Sequence, residues 1–360
     1  MLKKATALLL VCAGMGTWMG CGTTSSRYLF AAVPNANDIV IYREDPNSGV
    51  LTQLAGSPVA AGQSVHALAL HPSGKFLYAA NSFDNNISLY TVSSTGGLTE
   101  VTRTPVGTSP TLMVMDSGGS FLYVANSGSF DISVFSIDSS SGLLTAVPQA
   151  NDAAAAPIGL SAMNIALAPS GSMLYVTGQP GTLGFVEAFP ISAGVLSQPV
   201  AGSPFVTGNR PFGLAIDSSG TFLYTANTQD GTLSEFTINA DGSLTALSGS
   251  PVGETFTSPV SLLIDKSGKY LYVANQGSTN VAAYTIGSDG TLTLLTNSPF
   301  ATSSGPSLLA TDSGGKYIFV GSQTTAAIGS FSLDSSTGTL TSVATYNVAA
   351  GTPTSIVITQ

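Results

Sequence analysis

A three-residue unit recurs seven times along this chain at nearly even spacing. It reads apolar-Leu-aromatic, with minor variation, at Tyr28-Leu29-Phe30, Phe76-Leu77-Tyr78, Phe121-Leu122-Tyr123, Met173-Leu174-Tyr175, Phe222-Leu223-Tyr224, Tyr270-Leu271-Tyr272 and Tyr317-Ile318-Phe319. The third position advances by 48, 45, 52, 49, 48 and 47 residues. A second marker, Gly-x-Leu-Thr/Ser, begins at Gly49, Gly96, Gly142, Gly194, Gly242, Gly290 and Gly338. Two independent markers with one period describe a chain of repeated supersecondary units, each stacking on its neighbours to bury a continuous core.

Each unit reads as four short strands. An apolar segment such as Phe212–Asp217 meets a Ser-Gly turn, where glycine supplies the positive φ of a tight reversal. The aromatic triplet follows with its Ala-Asn tail, as in Tyr123-Val124-Ala125-Asn126. An alternating segment such as Ile132–Ile137 comes next, and a Gly turn leads to a fourth strand. Alternation of apolar and polar residues between Gly, Asp and Ser clusters is the strand signal. No segment after the leader carries a helical period. Hydrophobic residues make up 43% of the chain and charged residues only 8%, which excludes a coiled coil and charge-rich disorder. The expected fold is all-β: a seven-bladed β-propeller over residues 28–360 with four-stranded antiparallel blades. The chain enters at a second-strand position and ends on Pro353–Thr359, which matches the inner strands Pro110–Met115 and Pro259–Ile264. The last strand is therefore expected to complete the first blade, closing the ring and removing open edges.

The N-terminus reads as a leader. Lys3 and Lys4 precede an uncharged apolar run from Ala5 to Met15, too short for a permanent span. Cys21 follows Gly20 and opens a short linker at 22–27. The segment 1–21 resembles a bacterial lipoprotein signal, which implies acylation of Cys21, export, and a membrane anchor at the cell envelope. Removal of Lys3 and Lys4 takes the formal net charge from −9 to −11. So acidic a chain is not expected to bind nucleic acid. One remaining cysteine gives no internal disulfide framework.

The Tyr-Val-Ala-Asn units and their spacing resemble the YVTN-type and lactonase-type seven-bladed propellers, a group that includes 6-phosphogluconolactonases. The resemblance covers residues 28–360. It implies a site at the mouth of the central channel, where the inner strands begin, built from a His at one inner strand, an Arg-His pair at another and a Glu after a second-strand Asn. Val65-His66-Ala67 matches the first element. Asn209-Arg210-Pro211-Phe212-Gly213 carries Phe-Gly where the pair belongs, with Arg210 about two positions displaced. Asn227 is followed by Thr228 and Gln229 rather than by glutamate.

Lactone hydrolysis needs a base near neutral pH and stabilisation of an oxyanion. His66 is the candidate base, or else a hydrogen-bonded polar residue of the funnel. Arg210 is the candidate anion holder, or else a salt-bridge partner of Glu254, itself a candidate acid/base or a solvated charge. Asn209 and the loop aromatics Phe83 and Phe130 are candidate ligand or partner contacts on the mouth face. His71, in a His-Pro-Ser-Gly turn at the opposite end, is expected at the surface. Asn81, Asn126, Asn227 and Asn275 are expected to cap second strands through Asx turns, and Asp116, Asp217, Asp265 and Asp312 to form turns. No residue spacing suggests a metal site, and no cofactor is expected. The alanine-rich connector 148–163 is read as a lid or an insertion. The leading expectation is a monomeric, exported scaffold that binds an unknown protein or small molecule at the mouth. The alternative is a lactone hydrolase with His66 as general base. A cytoplasmic phosphorylated sugar is a poor substrate for an exported protein at −11.

Overall fold

A computed structural model describes residues 26–360 except 150–154, 158–160, 180, 182, 254–256 and 303–304. The described residues contain strands and turns and no helix. They form seven antiparallel sheets in a ring.

Blade 2 shows the plan. Its inner strand is Val65–Leu70, followed outward by Phe76–Asn81, Asn86–Val92 and Leu98–Pro105. Blades 3 to 7 begin on inner strands Pro110–Met115, Asn164–Leu167, Pro211–Ile216, Pro259–Ile264 and Pro306–Thr311. In five blades a fifth short segment also pairs with the third strand, as Val59–Ala60 does with Asp38–Glu44.

Blade 1 is made from both ends of the chain. Its inner strand is Ser355–Ile358, which pairs antiparallel with Arg27–Val33 in the register Leu29↔Ile358 to Ala32↔Ser355. Tyr28 N donates to Thr359 Oγ1 at 2.9 Å, and Thr359 N returns a bond to Tyr28 O at 2.9 Å. The expected closure by the last strand is therefore found.

The core lies between blades rather than at one centre. Each apolar cluster joins neighbouring sheets: Tyr28, Phe30 and Ile41 of blade 1 pack with Leu68, Leu77 and Tyr90 of blade 2. The six fully buried tyrosines Tyr78, Tyr90, Tyr123, Tyr175, Tyr224 and Tyr272 occupy these interfaces, where each aromatic body fills volume and the hydroxyls of all but Tyr123 donate to backbone carbonyls.

Three turn readings are refined. The Asp set does form turns: Asp265 Oδ1 accepts from Lys269 N and Tyr270 N at 2.9 and 2.8 Å, and Asp312 Oδ1 accepts from Lys316 N and Tyr317 N at 2.7 Å each. The Asn set is structural, but its partners lie across the sheet. Asn81 Nδ2 donates to Ser88 Oγ at 2.9 Å, and its Oδ1 accepts from Gly62 N at 3.1 Å. His71 is buried at 6% exposure, against the expectation of a surface residue. The turn of blade 3 closes over it, with its Nε2 3.1 Å from Gly119 O and its ring edge on Phe76.

Candidate functional site

Five inner strands share a local distortion at their first turn of chain. The pairing with the second strand skips one residue, so that Val65↔Asn81 is followed by Ala67↔Ala80 and His66 is left out of the ladder. The same slip excludes Thr111, Phe212, Val260 and Ser307 in blades 3, 5, 6 and 7. A bulge of this kind bends the strand and re-aims one side chain. The residue two before each is left-handed: Ser64, Ser109, Arg210 and Ser258 have φ of 56°, 52°, 56° and 55°, and Gly305 has 66°.

The re-aimed side chains line a cavity of about 520 Å³ where the inner strands begin. Thr354 of blade 1 and Asn164 of blade 4 complete the ring. Blade order sets their neighbours. Phe212 and Val260 form an apolar side, and Thr354, His66 and Thr111 face it from across the channel. Two hydrogen bonds tie the ring together: Thr354 Oγ1 donates to His66 O at 2.8 Å, and Asn164 Nδ2 donates to Phe212 O at 2.8 Å.

The structure brings His66 and Arg210 to one cavity. The His66 imidazole has no hydrogen-bond partner among the described residues, and burial pushes its pKa below the ordinary value. It is therefore neutral at pH 7, with one nitrogen free to accept a proton. Arg210 is exposed and makes no ion pair among the described residues. Its backbone N donates to Gln179 Oε1 of blade 4 at 2.8 Å. The equivalent bonds in blades 2 and 3 run from Ser64 N to Asn37 Oδ1 and from Ser109 N to Asn85 Oδ1, at 2.7 and 2.8 Å.

Among the described lining residues there is no carboxylate. The nearby rim acids are engaged elsewhere. Asp84 Oδ2 accepts from Gln63 N at 2.8 Å and lies 3.5 Å from Arg103. Asp230 accepts from Asn209 N and Nδ2 at 2.7 and 2.8 Å. Asn209 therefore clamps its loop to the second-to-third-strand turn of blade 5 and does not line the cavity. Phe83 and Phe130 do sit in second-to-third-strand turns at this end, 74% and 48% exposed. Glu254, Cys21 and half of the 148–163 connector lie outside the described residues.

Sequence reasoning missed Thr111, Asn164, Phe212, Val260, Ser307 and Thr354 as a set. A signal was present, since four of the bulged residues follow a proline that opens its inner strand. No group of three or more His, Cys, Asp or Glu able to hold a metal ion occurs among the described residues.

Comparisons with known proteins agree with the architecture. The chain resembles the solved structure of a candidate 6-phosphogluconolactonase from Bacteroides fragilis at 22% identity, with a TM-score of 0.77, over 94% of this chain and 99% of that one. It resembles the periplasmic gluconolactonase of Pseudomonas aeruginosa at 17% identity, with a TM-score of 0.73, over 93% and 99%. A protein from Lactobacillus plantarum matches at 20% identity, with a TM-score of 0.76, over 93% and 99%. At these identities the likeness shows the fold. No curated protein sequence matches the chain. The model of the family described as lactonase, 7-bladed β-propeller, matches residues 56–158, 158–259 and 248–358. With six of its seven blades covered in that way, the chain belongs to the seven-bladed lactonase family of β-propellers.

Proposed function

We propose that this protein is an exported, lipid-anchored propeller that binds a small polar ligand carrying an anionic group in its channel mouth. One observation carries the reading: Arg210 and a neutral His66 line a single cavity whose described lining holds no acid. A guanidinium without an ion-pair partner recognises a carboxylate or phosphate through two parallel donors. Around it, Thr111, Asn164, Ser307 and Thr354 offer hydroxyls and an amide, and Phe212 with Val260 offers an apolar side. Such a cavity, mostly preformed with a few convergent polar groups, suits a small molecule better than a peptide. Lipid anchoring rests on Cys21 and the leader pattern before it.

A second reading is favoured by the same His66. A neutral imidazole beside hydroxyl groups and a guanidinium is the minimum for base-assisted opening of a lactone. The absence of a described acid to orient the imidazole counts against it. The test is calorimetric titration of residues 22–360 with gluconate, 6-phosphogluconate and the neutral gluconolactone, alongside acid release from the lactones. Binding of the acids that falls at least tenfold in Arg210→Gln, with lactone opening at the spontaneous rate, supports the scaffold reading. Turnover lost in His66→Ala replaces it with the hydrolase.

A further inference from the structure

Phe212 carries the only benzene ring among the described residues that line the mouth cavity, and it is 44% exposed. The interface tyrosines, by contrast, are fully buried. The bulge that takes Phe212 out of the ladder turns its side chain into the cavity. Its carbonyl is held by Asn164 Nδ2 at 2.8 Å. Val260 stands beside it on the next blade, and Leu68, Met113 and Leu308 line the same cavity further along their inner strands. An aromatic ring left open in a cleft, with aliphatic side chains around it, is a surface for a flat apolar body.

The polar side chains around it are largely occupied. Thr354 Oγ1 donates to His66 O at 2.8 Å, Ser307 Oγ to Gly321 O at 3.3 Å and Thr228 Oγ1 to Pro259 O at 2.7 Å. Asn164 uses both ends of its amide, since its Oδ1 accepts from Ile165 N at 2.9 Å. Gln276 Nε2 donates to Gln323 Oε1 at 2.8 Å. A hydroxyl that has given its proton can only accept. Each hydroxyl of a sugar asks both a donor and an acceptor of its surroundings, and burying one without them is costly. The Arg210 guanidinium and the His66 imidazole are different, because neither holds a hydrogen bond among the described residues. The lining therefore suits a ligand with one strongly accepting group and little other polarity.

Arg210 is also the only formal charge of the described lining, since burial keeps His66 neutral at pH 7. One guanidinium balances one carboxylate. A phosphomonoester, with roughly two negative charges near neutral pH, would bring an uncompensated charge into a protein whose formal net charge is already −9.

We infer that the ligand of this cavity is an aromatic monocarboxylic acid, with its carboxylate on the Arg210 guanidinium and its ring against Phe212. The inference rests on the anion-binding reading above and narrows it to a flat, apolar body with a single negative charge. Arg210 and Phe212 stand two residues apart on one stretch of chain, at most about 7 Å between α-carbons. One bulged segment thus presents both the charge and the ring. A phenolic hydroxyl directed across the channel would meet His66, whose neutral imidazole can accept a hydrogen bond from it.

The test is calorimetric titration of residues 22–360 at pH 7 with para-hydroxycinnamate, phenyl phosphate and gluconate. Expected is binding of para-hydroxycinnamate at least tenfold tighter than either of the others. Phe212→Ala should remove that preference and Phe212→Tyr should keep it. Both variants should melt with the wild type, because the side chain is already half exposed. Arg210→Gln should weaken para-hydroxycinnamate at least tenfold. Gluconate or phenyl phosphate binding as tightly as the aromatic acid, and through Arg210, overturns the inference and leaves the anion-binding reading standing. A preference that survives Phe212→Ala does the same. Binding of para-hydroxycinnamate that survives Arg210→Gln, or no binding of any of the three, overturns both.

Discussion

The hydroxyl of Tyr224 donates to the carbonyl of Gly290 at 2.8 Å, across the boundary between blades 5 and 6. Tyr78, Tyr175 and Tyr272 repeat this bond to Gly142, Gly242 and Gly338 at 2.7, 3.0 and 2.8 Å. Where the triplet ends in phenylalanine in blade 7, Ser330 Oγ reaches Gly49 O at 2.7 Å instead. The two repeat markers in the sequence are thus the two halves of one contact between blades. The first residue of the triplet completes it, lying against the next blade's glycine: a Cβ on Gly290 would come within 2.3 Å of the Phe222 ring.

This contact predicts a graded loss of stability. Tyr224→Phe removes one hydrogen bond to a buried carbonyl and should cost about 1 kcal/mol. Gly290→Ala combines a φ of 85° with overlap of the Phe222 ring, and should cost about 2–4 kcal/mol. Urea denaturation of the two variants checks the order.

Closure by the last strand makes a second prediction. Deletion of residues 353–360 removes the inner strand of blade 1 and opens both of its neighbours to water. The whole ring should lose stability together, with a melting temperature at least 10 °C lower, as a loss of several kcal/mol implies. A truncated protein that melts with the wild type would contradict the closure.

A third concerns pH. Glu44 is 1% exposed at the seam between blades 1 and 7, 3.7 Å from Arg27 and outside hydrogen-bond range of any partner. Burial, with the nearby Asp312 carboxylate second, pushes its pKa up to about 7. The folded state therefore binds a proton that the unfolded state has already released. The stabilising proton is fully held below the ordinary glutamate value and lost as pH rises through 7. Glu187 and Glu235, raised by burial, act in the same direction. His66, whose pKa burial lowers, acts in the opposite direction below its ordinary value, so the reading is taken as a difference: between pH 4.5 and 8 the stability of the protein relative to its Glu44→Gln variant should fall with rising pH.

Arg210 should show opposed effects on stability and binding. Its left-handed backbone is occupied by serine or glycine in blades 2, 3, 6 and 7. Arg210→Gly should raise stability by up to about 1 kcal/mol by relieving that conformation, while weakening binding of an anionic ligand at least tenfold. Thermal melts and calorimetry on the same preparation would show both.

The fold was legible because each blade repeats both partners of its own interface, so one period appears twice in the sequence. The position of His66 and Arg210 at the mouth was legible for the same reason, since they stand at fixed offsets in their repeats. His71 misled because its turn type marks a surface, whereas the neighbouring blade's Gly119 that covers it lies 48 residues away. The Arg27, Glu44 and Asp312 group was hidden for a related cause. Arg27 and Asp312 are 285 positions apart and meet only once the ring has closed.

The bulges have a consequence for how this architecture changes over time. In five blades the residue facing the channel takes no part in the ladder of backbone bonds, and its side chain lines the cavity. Replacing it leaves the sheet's hydrogen bonds, the interface tyrosine and the stacked glycine untouched. The mouth is in effect a set of separately editable letters, reading Thr354, His66, Thr111, Asn164, Phe212, Val260 and Ser307 around the ring. Selection can respell that word one letter at a time while the scaffold remains the same, so descendants of one ring can share a shape and part company in what they hold.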